Sequence, residues 1–438
     1  MGLSQRWHDI RTGFERPFWV ANISEIFERL SYYAAFASLA RYLHEGLELP
    51  VESATSLAGL FGGAVWFLAI FGGTVADRMG FRRALSLAYL ILTCAYFLMG
   101  SLGAPWMAGI RHAVPIVPLA AIVLLLPAFG IALVKPCVVG TTARASKENV
   151  RSIGYSIYYT LVNIGSTAGP YVASTVRKHL PVSKVFIVSS CSVLLMFVAV
   201  LIFFKEPRRE AGQEIPTLSQ VGHNFLTVLT NWRFMLFLII FSGYWIVFWQ
   251  QYIILPIYIH DYVNANVDTE LTLIADPLIV ISFTMLVSLV TQKMLAFSAV
   301  ILGTLISAVA WVVVIVLPKS GMFFNIGSSV IWGGAILALV VLAFGELIQQ
   351  PRYYDYISRL APPGQQGTYM GFAFLPIGIG SLVGGRFAGI LLHHYGEVLH
   401  QPAMIWWCVT GVGVLTTLLL WLYDKTLRPK SAEEETRA

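Results

Sequence analysis

Apolar runs long enough to cross a bilayer as helices recur along the chain, at roughly 17–44, 51–75, 84–103, 114–140, 152–176, 183–204, 232–260, 270–291, 295–317, 328–350, 367–393 and 401–424. This pattern predicts twelve membrane helices. The longest polar connection, Glu206 to Thr230, divides them six and six. The chain therefore reads as an all-α integral membrane protein, with an N-terminal six-helix half at 1–205, a cytoplasmic linker at 206–230 and a C-terminal half at 231–438. An even split around a basic linker is the arrangement of a carrier whose two repeated halves flank a central pathway. A channel or a receptor does not predict it.

Composition agrees: 57% of residues are hydrophobic and 12% charged, with a mean hydropathy of +0.72. The net charge of +6 is a topology signal, because bases in short loops stay on the cytoplasmic side. Arg6, Arg11 and Arg16 precede span 1; Arg78, Arg82 and Arg83 follow span 2; Arg144, Lys147 and Arg151 follow span 4; Lys205, Arg208, Arg209 and Arg233 surround the central connection; Arg352 and Arg359 follow span 10. The alternate connections carry Glu45, Glu48, Asp261, Asp268 and Glu270, with Arg177, Lys178 and Lys184 as the exception. Both termini are expected in the cytoplasm, at a plasma or bacterial inner membrane. The bases are dispersed, so no nucleic-acid partner is implied. Cys94, Cys137, Cys191 and Cys408 lie in apolar spans and read as buried thiols, and no metal or other cofactor is implied. Span 1 is too long for a signal peptide and is expected to persist as a helix.

Charge inside the spans is the sharper signal, since ionisable residues there are costly and by default mark a substrate or ion pathway. Residues 25–33 read EIFERLSYY, and the spacing puts Glu25, Glu28, Arg29 and Tyr32 on one helical face, continued by Tyr33 and Phe36. Lys135, Asp276 and Glu346 lie in other spans. Six such charges, at about 2.5–3.5 kcal/mol each, would cost roughly 15–20 kcal/mol if isolated. They must be paired, hydrated or neutralised. Counted from the cytoplasmic ends of their helices, Glu25, Glu28, Arg29, Lys135 and Glu346 all fall in the inner half of the membrane. One cluster there has the physics of a switchable proton site; a static network bracing the bundle is the competing account.

After span 2, GGTVADRMGFRR carries Gly73, Asp77, Arg78, Gly80, Arg82 and Arg83 in a short turn and resembles the loop signature of the major facilitator superfamily. The whole chain further resembles the proton-coupled oligopeptide transporter family. EIFERLSYY is similar to its helix-1 motif, Lys135-Pro136-Cys137 to its helix-4 segment, and SIYYTLVNIGS from Ser156 to its helix-5 signature. Gly345-Glu346 resembles its helix-10 motif, and Ala361-Pro362 with Met370-Gly371 the start of helix 11. The resemblance implies that Arg29 and Lys135 receive a peptide's carboxylate, with Tyr32, Tyr33, Trp66, Asn163, Gln250 and Phe374 lining the pocket. It also implies that Glu346 binds the amino end and pairs with Lys135 when the inner gate is shut.

Departures from the family pattern concentrate on the outer side. Phe36 stands where a second helix-1 arginine is usual, and Trp249 where helix 7 usually has an acid. Losing both is self-consistent, since removing one would leave an unpaired buried charge, and the outer gate must then close differently. Asp276 stands at a usual asparagine and is a candidate outer proton or substrate-amine site. Trp66 replaces a cavity tyrosine, and Ala373 a tryptophan. Arg41 and Arg386 read as headgroup-seeking side chains, and the histidines at span ends as interfacial.

These observations predict a proton-coupled symporter for small peptides or peptide-like compounds, working by alternating access in the bilayer as a monomer and driven by the proton gradient. A carrier or exporter of another amphiphilic compound is the alternative, and a non-transporting receptor a weaker one. No soluble catalytic motif appears, so an enzyme is not expected.

Overall fold

The computed structural model describes residues 12–207, 218–317, 321–362 and 366–427. Ten helices are long and apolar enough to span a membrane by themselves. Two further long helices, Arg16–Arg41 and Arg151–His179, complete the twelve. In chain order they are α1 (Arg16–Arg41), α2 (Val51–Met79), α3 (Phe81–Ser101), α4 (Ile116–Arg144), α5 (Arg151–His179) and α6 (Ser183–Phe203). The second set is α7 (Trp232–Val263), α8 (Thr269–Thr291), α9 (Ala296–Val316), α10 (Gly333–Leu360), α11 (Thr368–Val398) and α12 (Ala403–Thr426). The side on which α1 begins and α12 ends is called inner here, following the basic-loop topology.

Within the N-terminal set, α1 packs on α5, α6 and α4, and α4 on α2 and α3; within the other, α9 packs on α10 and α12, and α8 on α10. The two sets meet where α2 lies along α11, with lesser contacts of α1 to α7 and α5 to α8. Small residues allow the closest approach, as expected where lipid offers no competing hydrophobic drive. A Cβ built at Gly59 would lie 2.5 Å from the Ser381 carbonyl and 2.8 Å from Gly385 Cα.

The turn after α2 owes its shape to Gly80, which takes φ +82°, a region that only glycine enters without cost. There the Glu206 carboxylate accepts from the Phe81 and Arg82 backbone N–H groups at 2.8 Å, an anion at the positive end of α3. Arg82 donates to the Leu201 carbonyl at 2.9 Å. Gly73 lies 3.8 Å from Pro136 Cβ, and Arg78 and Arg83 are exposed; the Asp77 side chain lies outside the description, as do Arg6, Arg11, Arg208 and Arg209.

Three boundaries differ from expectation. Span 10, expected at 328–350, begins at Gly333 and runs to Leu360. The residues before it form a hairpin, β1 (Phe323–Ile326) and β2 (Ser329–Trp332), whose two-residue turn begins at Gly327 with φ +60°, the handedness such turns need. Span 7 is interrupted around Trp249. The central connection contains a helix, Leu218–Thr230, whose Phe225 ring packs on Phe71 at 5.4 Å and on Phe372 at 4.7 Å.

Candidate functional site

Pro17 opens α1, where its fixed φ suits the first turn and its missing N–H costs nothing. Gly165 and Gly169 let α5 press against this helix: a Cβ at Gly165 would sit 2.6 Å from the Ile26 carbonyl and 2.7 Å from Arg29 Cβ. Asn22 ties α1 to α4 by donating to Thr142 Oγ1 at 3.1 Å. In this frame Glu25, Glu28, Arg29 and Tyr32 are all buried. Arg29 Nε lies 2.5 Å from Glu28 Oε2 and 3.5 Å from Glu25 Oε1, and its guanidinium sits 5.1 Å from the Tyr32 ring centroid. Yet Arg29 Nη2, the Tyr32 hydroxyl, Glu28 Oε1 and both Glu25 oxygens have no hydrogen-bond partner among the described residues. Buried polar groups without partners are expensive. They mark a wall prepared for something else.

Lys135 faces the same space from α4. Pro136 has no N–H to offer the Ala132 carbonyl, and Gly72 of α2 fills that position, where a Cβ would lie 1.8 Å from that oxygen. The close approach of α2 and α4 brings Trp66 to Lys135, whose Nζ is 4.6 Å from the Trp66 ring centroid and 5.7 Å from that of Phe374. Phe374 sits at the break in α11, so the cation rests between aromatic rings from both halves. Glu25, Glu28 and Arg29 lie within its electrostatic reach.

In the other set, Gly345 of α10 packs on α9, a Cβ there meeting Ser307 Oγ at 2.2 Å, and the neighbouring Glu346 is only partly buried. Among the described residues no ion pair joins Glu346 to Lys135. Asp276 is within electrostatic reach of Glu346 and is itself buried, with Oδ1 unpartnered. Tyr33 lies between the walls, within reach of Arg29, Glu346 and Asp276. Asn163 donates to the Tyr159 carbonyl at 2.8 Å, with Tyr159 near Glu346. Gln250 stands apart from this group, donating to the Ile246 and Gly384 carbonyls at 2.6 and 3.4 Å.

The outer side is closed, first at the two positions where the sequence departs from the family's outer pair. Phe36 meets Trp249 edge-on, ring centroids 5.1 Å apart, and stacks obliquely on Tyr252 at 5.2 Å. Above this aromatic plug, Arg177 of α5 pairs with Glu270 of α8. Ser38 donates to Glu270 Oε1 at 3.3 Å, and Arg41 to Thr269 Oγ1 at 3.2 Å. Ser174 and Ser329 each donate to Asp268 Oδ2 at 2.6 Å. Arg41, expected to seek headgroups, is instead buried at 4% exposure because Glu45 accepts from it through both oxygens, at 2.7 and 2.9 Å. The signal in the sequence was the run of bases on an otherwise acidic side, of which Arg177 compensates Glu270 and Lys178, at 4.0 Å, Asp268.

Twelve helices in two sets, charged groups buried inside the spans of both and a closure on one face are the arrangement of a membrane transporter. A family model described as Major Facilitator Superfamily matches residues 21–350, and the chain belongs to that superfamily. A di-/tripeptide transporter of Lactococcus lactis subsp. lactis (strain IL1403) is 27% identical over 236 residues, covering 50% of this chain and 45% of that protein. The multidrug resistance protein MdtH of Escherichia coli O9:H4 (strain HS) is 21% identical over 360 residues, 82% of each chain. A crystal structure of a POT family transporter in complex with 5-aminolevulinic acid has the same fold, with a TM-score of 0.74 at 17% identity over 94% of this chain and 97% of that one.

Proposed function

We propose that the chain is a proton-coupled symporter for small peptides or peptide-like compounds, set in a bacterial inner membrane with both termini in the cytoplasm. The observation that carries this reading is the pair of unpartnered donors on buried residues, Arg29 Nη2 and the Tyr32 hydroxyl, on the wall that also holds Lys135, opposite Glu346 and Asp276. A zwitterion needs cations on one side and an acid on the other. Arg29 and Lys135 take the carboxylate, Glu346 takes the ammonium, and Tyr33 fills the width between them. A proton reaching Glu25, Glu28 or Glu346 weakens the hold of that acid on Arg29 or Lys135 and frees the cation for substrate. Its departure restores the resting pairs, and the halves rock about the midplane cavity.

The test is uptake of labelled dialanine by proteoliposomes under an imposed proton gradient, inside alkaline. Wild-type protein is expected to accumulate the peptide and Lys135→Ala to lose proton-driven accumulation. Wild-type rates in that variant would sink the mechanism. A second reading, a carrier of another amphiphilic compound, is favoured by the aromatic slot of Trp66 and Phe374 around Lys135. Uptake of other solutes with none of dialanine supports it instead.

A further inference from the structure

The charges that the two sets of helices bury do not balance. Four carboxylates, Glu25, Glu28, Asp276 and Glu346, face two cations, Arg29 and Lys135. Both cations belong to the N-terminal wall. A simple dipeptide, bringing one charge of each sign, leaves that surplus unchanged, and one proton on Glu25, Glu28 or Glu346 removes only half of it.

The surplus sits on α8 and α10, which run in the same direction. Phe283 packs on Phe344 at 5.3 Å, and Arg352 donates to the Thr291 carbonyl at 2.8 Å. Both contacts set the same register, so Asp276 is level with Leu337, roughly two and a half turns outward of Glu346 at about 1.5 Å per residue. Both side chains lean toward the N-terminal, outer ends of their helices, and across this offset the two carboxylates lie within electrostatic reach of each other. Among the described residues no cation lies in that reach; the neighbours are the phenols of Tyr33, Tyr159 and Tyr354. Beside Asp276 stands Gln251, fully buried, with its amide N–H toward that carboxylate. That leaves the Gln251 carbonyl oxygen and Asp276 Oδ1 without partners among the described residues.

We infer that this wall is a two-point cation site, and that the preferred substrates carry a second positive charge beyond the one that Glu346 takes, as in a peptide whose first residue is lysine. The inference rests on the peptide-carrier reading for the placement of the first ammonium. With that ammonium on Glu346, the four-carbon stem of a lysine runs outward along the phenols and delivers its charge to Asp276 and the Gln251 carbonyl oxygen. A hydrogen bond to a charged group in this setting is about twice as strong as a neutral one.

Binding to the purified full chain is measured through tryptophan fluorescence, with dialanine, lysyl-alanine and 1,5-diaminopentane as probes. Lysyl-alanine is expected to bind at least about tenfold tighter than dialanine, a difference of about 1.4 kcal/mol. Asp276→Asn is expected to cut that ratio to about twofold, and Asp276→Glu, which keeps the charge, to preserve most of it. The melting temperatures of the empty variants report whether they fold. Equal affinities in the wild type, or a ratio that survives in Asp276→Asn, overturn the inference. Dialanine binding without a lysyl preference leaves the peptide reading standing and removes this one. Diaminopentane binding that needs Asp276, with neither dipeptide bound, does the reverse. Binding of none of the three overturns both.

Discussion

Arg177 on α5 holds Glu270 at the start of α8, joining the two halves where Glu270 has no exposure at all. Breaking one side of a buried pair leaves an uncompensated charge and typically costs about 3–5 kcal/mol. Glu270→Gln is therefore expected to shift the equilibrium away from the outward-closed state. Spin labels at Leu180 and Phe324, both exposed on that face, would report a new population at longer distance. One unchanged distance distribution would mean that the pair does not hold the closure.

The contact of Phe36 with Trp249 substitutes packing for charge, and it makes a double-mutant prediction. Phe36→Arg alone buries an unpaired cation and is expected to lower stability by about 3 kcal/mol or more. Adding Trp249→Glu supplies a partner and is expected to recover part of the loss, with a coupling of about 0.5–3 kcal/mol. Thermal melting of the two single variants and the double variant in detergent measures it. Strict additivity would show that the two positions are not energetically linked.

Glu45 makes the outer closure sensitive to acid. Burial alone raises the affinity of its carboxyl for protons, but the forked bond from Arg41 lowers it by more, so Glu45 is held below the ordinary carboxylate range. A depressed carboxylate stabilises the folded state fully above its unfolded value, about 4.3, and the contribution is lost as pH falls through the lower folded value. Melting temperature followed from pH 6 to pH 3 is expected to decline less steeply in Glu45→Gln than in the wild type. Parallel curves would remove Glu45 from the acid response.

Hydropathy makes ten of the twelve helices plain, because a bilayer-length apolar run has few other uses; α1 and α5 are long but more polar, and the i, i+3, i+4, i+7 spacing in α1 placed its charges on one face. The hairpin of β1 and β2 stayed hidden: Val330 to Trp332 merge with the apolar span that follows, and strands of four residues carry little periodicity. Asp268, Glu270 and Arg177 were visible as charges but read as loop residues, since their pairing joins positions 93 apart in sequence and depends on how α5 and α8 meet. Arg41 was misjudged for a related reason. A base near a helix end reaches headgroups unless a partner one turn on, here Glu45, folds it back. The register of α8 on α10, which brings Asp276 toward Glu346, is a tertiary fact with no local signature.

The seam at Gly59 and Gly385 lies toward the outer ends of α2 and α11, on the face that is closed. Backbones that nearly touch leave no room for a side chain between them, so a carrier that opens to this face must part these two helices here. One turn further in, a Cβ on Gly63 would meet the Leu382 side chain at 2.4 Å, and one on Gly378 the Phe67 ring at 3.1 Å. Trp66 and Phe374 stand on the same two helices a turn or more further in, while Asp276 and Glu346 belong to α8 and α10. The aromatic pair around Lys135 is thus built on the line where the two sets touch most closely.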